Sequence, residues 1–133
     1  ILAGLVGITA GADTVSINSS LIIGAVAGVL VVLSAVTMDK LKLDDVVGAV
    51  SVHLTCGIWG TLAVGIFSTN ADHTFMTQLI GVASYAAAAF PLAFIIFFIL
   101  KKTIGVRVSE EHETEGLDSH EHGIRGYTIV YDN

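Results

Sequence analysis

Three long apolar runs without a charged residue constrain this chain more than any other feature of its sequence. They are residues 21–37, 46–67 and 75–100, and none contains Asp, Glu, Lys or Arg. A helix needs roughly 20 mostly apolar residues to cross a hydrocarbon core about 30 Å thick. Because unpaired backbone polar groups are costly in lipid, each run is predicted to cross the membrane as a helix.

The composition places the whole chain in the same class. Hydrophobic residues make up 53% of it and charged residues only 14%, whereas soluble domains carry roughly 25% charged residues. We predict an all-α, polytopic transmembrane helix bundle in the lipid bilayer over residues 1–102, in which residues 1–12 are the end of an earlier span. Residues 103–133 are predicted to form a tail. The net charge of −6 argues against a nucleic-acid partner, since phosphate binding needs clustered Lys and Arg.

The basic residues predict how the chain crosses the membrane. All six lie either between the first two apolar runs or after the last one: Lys40, Lys42, Lys101, Lys102, Arg107 and Arg125. Cytoplasmic loops carry an excess of Lys and Arg. The sequence therefore predicts a multi-pass protein of the cell membrane with residues 38–45 and the C-terminal tail in the cytoplasm.

His53 lies near the centre of the second run, where an ionisable side chain is costly and usually faces a bundle interior or a cavity. An α-helical period places small side chains on the same face, among them Ala49, Val50 and Gly57. These residues could line a narrow substrate pathway, in which an imidazole can donate, accept or relay a proton. The alternative is a core histidine bonded to a neighbouring helix.

Asp44 and Asp45 directly precede the His53 run on the predicted cytoplasmic side. A carboxylate at a helix N-terminus accepts unpaired backbone N–H groups and complements the positive end of the helix dipole. We expect a helix cap here, and a role in a cytoplasmic vestibule is the second possibility.

The residues from Asp44 to Gly60 resemble the penultimate membrane helix of the ammonium transporter family. In the tail, residues 105–111 and 115–118, the His122-Gly123 pair and Tyr127 are similar to the cytoplasmic C-terminal region of that family. Residues 4–11 and 21–28 extend the likeness to nearly the whole chain. Three separated motifs in the right order make the resemblance specific.

This resemblance implies a transporter of ammonium or ammonia, not an enzyme, that assembles as a homotrimer with one pore in each subunit. It implies no cofactor and no metal. His53 would be the second of two paired pore histidines, the other lying in sequence upstream of this chain. The chain departs from the family pattern at Val46, Leu54 and Ile124, where Pro, Gly and Glu are common.

The tail is expected to be ordered and regulatory. Arg107 and the acidic residues near it, including Glu111, are expected to pair with basic groups of cytoplasmic loops. Gly116 permits a turn before Leu117, which is expected to pack inward. The resemblance implies that this tail lies near a docking surface for a PII-type regulatory protein, with Gly116 and Asp118 as the positions expected to matter there.

Two other functions are compatible with parts of the sequence. An ammonium sensor or receptor could be built on the transporter fold. A membrane redox subunit could use His53 as a haem ligand. A two-histidine haem would need a second histidine within the membrane, yet the other four histidines lie in a predicted outer loop or in the tail: His73, His112, His120 and His122.

The predicted topology can be tested with single cysteines. We expect a cysteine at Asp72 to react with an impermeant thiol reagent added outside the cell, and a cysteine at Lys42 to be protected until the membrane is permeabilised. The physical reason is that the basic residues all lie on one predicted side. The opposite labelling pattern would overturn the topology.

Overall fold

The structure, a computed structural model, describes residues 1–124 and residue 126. Arg125 and Tyr127, which entered the sequence analysis, lie outside the described residues. The chain divides into two units, residues 1–89 and residues 90–133. Its elements in order are α1 (Leu2–Thr9), α2 (Ile17–Lys40), a first π-helical turn (Ala49–Leu54), α3 (Thr55–Phe67), α4 (Phe75–Thr103), α5 (Glu110–Glu115) and a second π-helical turn (Asp118–His122).

Within the residues that the structure describes, three helical segments are long and apolar enough to cross a membrane: Ile17–Lys40, Ala49–Phe67 and Phe75–Thr103. Among the described residues the only β pairing is an isolated bridge between Val15 and Ser68. The predicted all-α polytopic bundle is confirmed. No residue of α4 is buried against the described part of the chain, so its apolar surface is available to lipid or to other membrane helices.

Some helix ends differ from the ends of the apolar runs, although α3 ends at Phe67 and α4 begins at Phe75 as the runs do. The run 21–37 is the middle of α2, which starts at Ile17 because the Ser16 hydroxyl caps it by accepting the Ser19 N–H at 3.2 Å. The run 75–100 continues as helix to Thr103. Helical hydrogen bonding therefore extends past the apolar residues into polar ones at these ends.

The core of the first unit lies where α1, α2 and α3 meet. Ala3, Ala27 and Cys56 are buried there, and the Trp59 and Val52 side chains pack against them. Small residues allow membrane helices to approach closely. The closest approach joins α1 to α3, because a Cβ atom built on Gly60 would overlap the carbonyl oxygen of Gly7.

Polar side chains link the helices of this unit across the core. The Trp59 indole N–H donates to the Ile23 carbonyl at 3.0 Å. The hydroxyl groups of Ser34 on α2 and Thr55 on α3 share a hydrogen bond of 2.9 Å. Such bonds contribute about 0.6 kcal/mol on average within membranes, so here they orient α3 more than they hold it in place.

The second unit begins within α4. The rings of Phe90, Phe94 and Phe98 stack at successive turns, with centroids 6.4 and 6.2 Å apart. The Lys102 ammonium lies 5.8 Å from the Phe98 ring centroid, within the range of a cation–π interaction. In the tail, the Ser109 hydroxyl caps α5 by accepting the His112 N–H at 3.3 Å.

The contact between α1 and α3 leads to a stability prediction. We expect Gly60→Ala to destabilise the protein by about 1–3 kcal/mol, because backbone atoms of α1 must move to admit a methyl group. This cost exceeds the roughly 1 kcal/mol that alanine contributes through its higher helix propensity. Thermal unfolding in detergent micelles would measure the effect.

Gly28 on α2 provides the matched control. A Cβ atom there has no neighbour within 4 Å, so Gly28→Ala should leave the unfolding temperature unchanged or raise it. An unfolding temperature of Gly60→Ala equal to that of the Gly28→Ala variant would show that the two helices do not meet at this glycine.

Candidate functional site

His53 lies in a π-helical turn at the start of its membrane span. The His53 N–H donates to the Gly48 carbonyl five residues earlier, at 3.4 Å. The Thr55 N–H likewise reaches back to Val50, whose carbonyl also accepts the Thr55 hydroxyl at 3.1 Å. Such wide turns are rare in helices and frequently mark functional positions.

Asp45 closes the open end of this turn. One carboxylate oxygen accepts the Val50 N–H at 2.9 Å and the other accepts the Ser51 N–H at 2.8 Å. Hydrogen bonding from Ser51, and then from the Val50 N–H, holds the pKa of Asp45 below its ordinary value. The carboxylate is therefore ionised at neutral pH, which strengthens these bonds.

The cap explains why this span begins at Ala49 and not at Val46. Gly48 has a left-handed backbone with φ of 70°, a conformation that glycine adopts without steric cost. It lets the chain fold back so that the Asp45 side chain reaches the N–H groups ahead of it. Val46 and Val47 are apolar and fit the hydrophobic run, but they lie before the helix and are 86% and 80% exposed.

Asp44 occupies a different environment from its neighbour. It lines an open depression of about 360 Å³ together with Asp39, Lys42 and Asp45. Among the described residues, no hydrogen bond to its carboxylate is found, and the side chain is exposed. The cap involves Asp45 alone, and the vestibule role of Asp44 stays a prediction.

An open cavity of about 430 Å³ lies beside His53, between α3 and the first part of α4. Gly57 and Thr61 follow His53 along one wall, together with Leu54 and Ile58. The opposite wall is formed by six residues of α4: Gln78, Gly81, Val82, Tyr85, Ala86 and Ala89. Polar groups in this lining are few, and no carboxylate or ammonium is among them.

The π-helical turn changes which residues share the face of His53. Gly57 lines the cavity as predicted, but Ala49 and Val50 are not among its lining residues. They were placed there by an α-helical period of 3.6 residues, and a wider turn does not follow that period. Cys56 is also directed elsewhere, because its thiol is fully buried and contacts the Ala27 carbonyl at 3.5 Å.

Sequence reasoning missed the polar residues that face His53 from α4. Gln78 and Tyr85 both line the cavity. They are seven residues apart in a run that is otherwise mostly apolar, and seven residues are close to two helical turns. That spacing of two polar side chains on one face was the signal that could have revealed them.

The tail forms ion pairs within itself. The Arg107 guanidinium pairs with the Glu113 carboxylate, and Arg107 Nε donates to Glu113 Oε2 at 3.0 Å. Arg107 thereby holds the pKa of Glu113 below its ordinary value. His120 Nε2 lies 3.0 Å from Glu115 Oε2. These two glutamates pair inside the tail, and the pairing of acidic residues with cytoplasmic loops stays a prediction.

The other predicted tail residues have separate environments. Gly116 has φ of 92° and ends α5, as the expected turn requires. The Asp118 carboxylate accepts the Gly126 N–H at 2.9 Å. Glu111 is exposed. Leu117 is 39% exposed, and its inward packing stays a prediction.

Together, the apolar spans, the π-helical turn and the cavity beside His53 define a polytopic helical membrane protein. The sequence pattern of the Ammonium Transporter Family matches residues 1–127. This chain belongs to that family, as the resemblance predicted.

Individual relatives agree with the family assignment. A Synechocystis protein named as a candidate ammonium transporter is 50% identical over the whole of this chain and 30% of its own length. The ammonium transporter Amt2 of Archaeoglobus fulgidus is 40% identical over 95% of this chain and 31% of its own length. Amt2 of Methanocaldococcus jannaschii is 38% identical over 96% of this chain and 32% of its own length. The chain thus spans about a third of the length of these relatives.

Proposed function

We propose that this chain contributes part of a pore that carries ammonium or ammonia across the cell membrane. The observation that supports the proposal most directly is the position of His53, which lines an otherwise largely apolar cavity between two membrane-spanning helices. The family to which the chain belongs agrees with this substrate.

The chemistry of the cavity favours a neutral species over a cation. A charged group at the bilayer centre costs at least about 2.5–3.5 kcal/mol even on lenient scales. The cavity lining contains no carboxylate that could compensate for this cost. Ammonium would therefore transfer a proton to water outside the cavity before entry, and ammonia would cross.

His53 would act on ammonia through its two ring nitrogens, as one member of a histidine pair. An imidazole can accept a hydrogen bond from ammonia at one nitrogen and donate one from the other. The same two nitrogens allow an imidazole to pass on a proton. Gly57, Gly81 and Ala86 leave space beside the ring. Leu54, where the family often has Gly, lines the same cavity and narrows it.

The surface of the chain supports assembly into a larger bundle. No side chain of α4 is buried against the described residues, although the helix is 29 residues long and strongly apolar. Such a surface needs lipid or other helices around it. We propose a homotrimer with one pore in each subunit and a cytoplasmic C-terminus, the orientation that the distribution of Lys and Arg favours.

The tail is proposed to regulate this pore. Its helix α5 is capped by Ser109, and its residues Arg107 and Glu113 form an ion pair, so the segment has a defined local structure. Its exposed side chains, including Glu111 and Leu117, remain available to another subunit or to a PII-type regulatory protein.

We expect His53→Ala to abolish or alter ammonium-dependent transport while the protein still folds and enters the membrane. The change removes the ring that faces the cavity, and a small uncharged side chain cannot relay a proton. Transport by the intact protein reconstituted into proteoliposomes would measure the effect, both as ammonium-dependent flux and as ion leak.

His73 supplies the matched control, because it is a histidine in the loop before α4 whose Nδ1 lies 3.0 Å from the Ser68 hydroxyl. His73→Ala should retain transport. Wild-type flux in His53→Ala would refute the proposed pathway. Ammonium binding without any flux in the wild-type protein would favour the sensor, and a haem absorption band would favour the redox subunit.

For the tail, we expect Glu113→Gln to increase hydrogen exchange in α5, because the variant removes the charge that pairs with Arg107. If the tail is regulatory, the same change should lower transport within an intact trimer. Hydrogen exchange, ammonium flux and oligomeric state would be measured on the same preparation. A variant truncated after Arg107 would be measured in the same way.

Glu110→Gln is the control for this experiment, since it removes the same charge from α5 and leaves the pair between Arg107 and Glu113 in place. The pair requires ionised Glu113, so its contribution is complete above the ordinary pKa of 4.5 and is lost as the pH falls through the lowered value. If truncation after Arg107 leaves transport unchanged, the tail has no regulatory role and is only a solvated extension of the chain.

A further inference from the structure

We propose that Asp45 is a positioning residue for His53, acting through the π-helical turn that connects them. This inference rests on the proposed function of His53, but its structural part can be tested without transport. It assigns to Asp45 a purpose beyond ending a helix, because the helix turn that it caps is the one that carries the histidine.

The first step is the contact itself. Both oxygens of the Asp45 carboxylate are used, one by the Val50 N–H and one by the Ser51 N–H. These are consecutive residues, so the carboxylate holds the direction of the backbone as well as its position. Ser51 is only 2% exposed, and water therefore cannot easily replace the carboxylate at that N–H.

The second step concerns the geometry of the turn. In an α-helix each residue advances the side-chain direction by about 100°. A π-helical turn contains one more residue per hydrogen-bonded ring. If the turn relaxed to α-helical geometry, residues within it would rotate relative to α3 by an angle on the order of 100°. His53 would then no longer face the cavity beside Gly57.

The third step is that the other end of the turn is also held. The Thr55 hydroxyl donates a hydrogen bond to the Val50 carbonyl within the wide turn. The same hydroxyl also shares a hydrogen bond with the Ser34 hydroxyl of α2. The Cys56 thiol lies 3.6 Å from the Ser51 carbonyl. Asp45 secures the N–H groups and these side chains secure the carbonyl groups, so the turn is held from both sides.

The fourth step separates Asp45 from its neighbour. Asp44 carries the same charge one residue earlier and would complement the helix dipole in a similar way. It nevertheless makes no hydrogen bond to the described part of the turn. If charge alone mattered, the two residues would be equivalent, whereas positioning by direct contact requires Asp45.

The experiment compares Asp45→Ala, Asp45→Asn and Asp45→Glu with the control Asp44→Asn in the intact transporter. Three quantities are measured: hydrogen exchange at Val50 and Ser51, the pH titration of the His53 imidazole by NMR, and the pH profile of ammonium flux. In Asp45→Ala we expect faster exchange, a shifted His53 titration and a loss of flux on the order of tenfold to a hundredfold, as misplaced reacting groups produce.

The remaining variants keep the test decisive. Asp45→Asn retains one acceptor oxygen and should be intermediate, and Asp45→Glu should recover part of the flux. Asp44→Asn should match the wild type in hydrogen exchange at Val50 and Ser51 and in the titration of His53. If Asp45→Ala does not reach the membrane folded, the Asp45→Asn and Asp45→Glu variants are compared with the wild type and with Asp44→Asn instead.

Two results would overturn the inference. One is a wild-type His53 titration and pH profile in Asp45→Ala or Asp45→Asn. The other is an equal change in hydrogen exchange at Val50 and Ser51 and in the His53 titration in Asp44→Asn. If the wild-type protein shows no ammonium flux at all, the proposed function fails, whereas the exchange and titration data still decide whether Asp45 positions His53.

Discussion

A backbone N–H group without a partner is expensive in a membrane, and the start of the span that carries His53 depends on this constraint. Here Asp45 accepts the N–H groups of Val50 and Ser51, and Gly48 provides the left-handed backbone that brings the carboxylate to them. The span can therefore begin with a π-helical turn in place of an ordinary first turn. The direction of His53 and the shape of the cavity beside it both follow from this arrangement.

The position of α3 depends on a second contact, made by residues without side chains. Gly7 and Gly60 bring the backbones of α1 and α3 together, and the Trp59 indole fixes the rotation of α3 by donating to the Ile23 carbonyl. Since close packing is a main source of helix association in lipid, these contacts hold one side of α3. Its other side, with His53 and Gly57, is left to form a wall of the cavity.

The structure brings some of the predicted pathway residues to the cavity beside His53 and leaves others away from it. Gly57 lies four residues after His53, beyond the wide turn, and the α-helical period places it correctly beside the cavity. Ala49 and Val50 lie within the wide turn, where that period does not apply. Gln78 and Tyr85 belong to another helix, and their approach to His53 cannot be read from the residues around His53. Leu117 was expected to pack inward, but packing depends on partners that residue spacing does not specify.

The sequence by itself determined the class of the protein, because long charge-free runs are stable only where lipid or other helices surround them. It also determined the number of complete spans within the chain and, through its motifs, membership of the ammonium transporter family. The tertiary structure decided which face of each span meets which neighbour. A π-helical turn, a positive φ and a contact between glycines depend on hydrogen bonds and packing between distant residues. The hydrophobic pattern does not specify these interactions, because a helix formed by an apolar run can rotate about its axis while the same residues stay in the membrane.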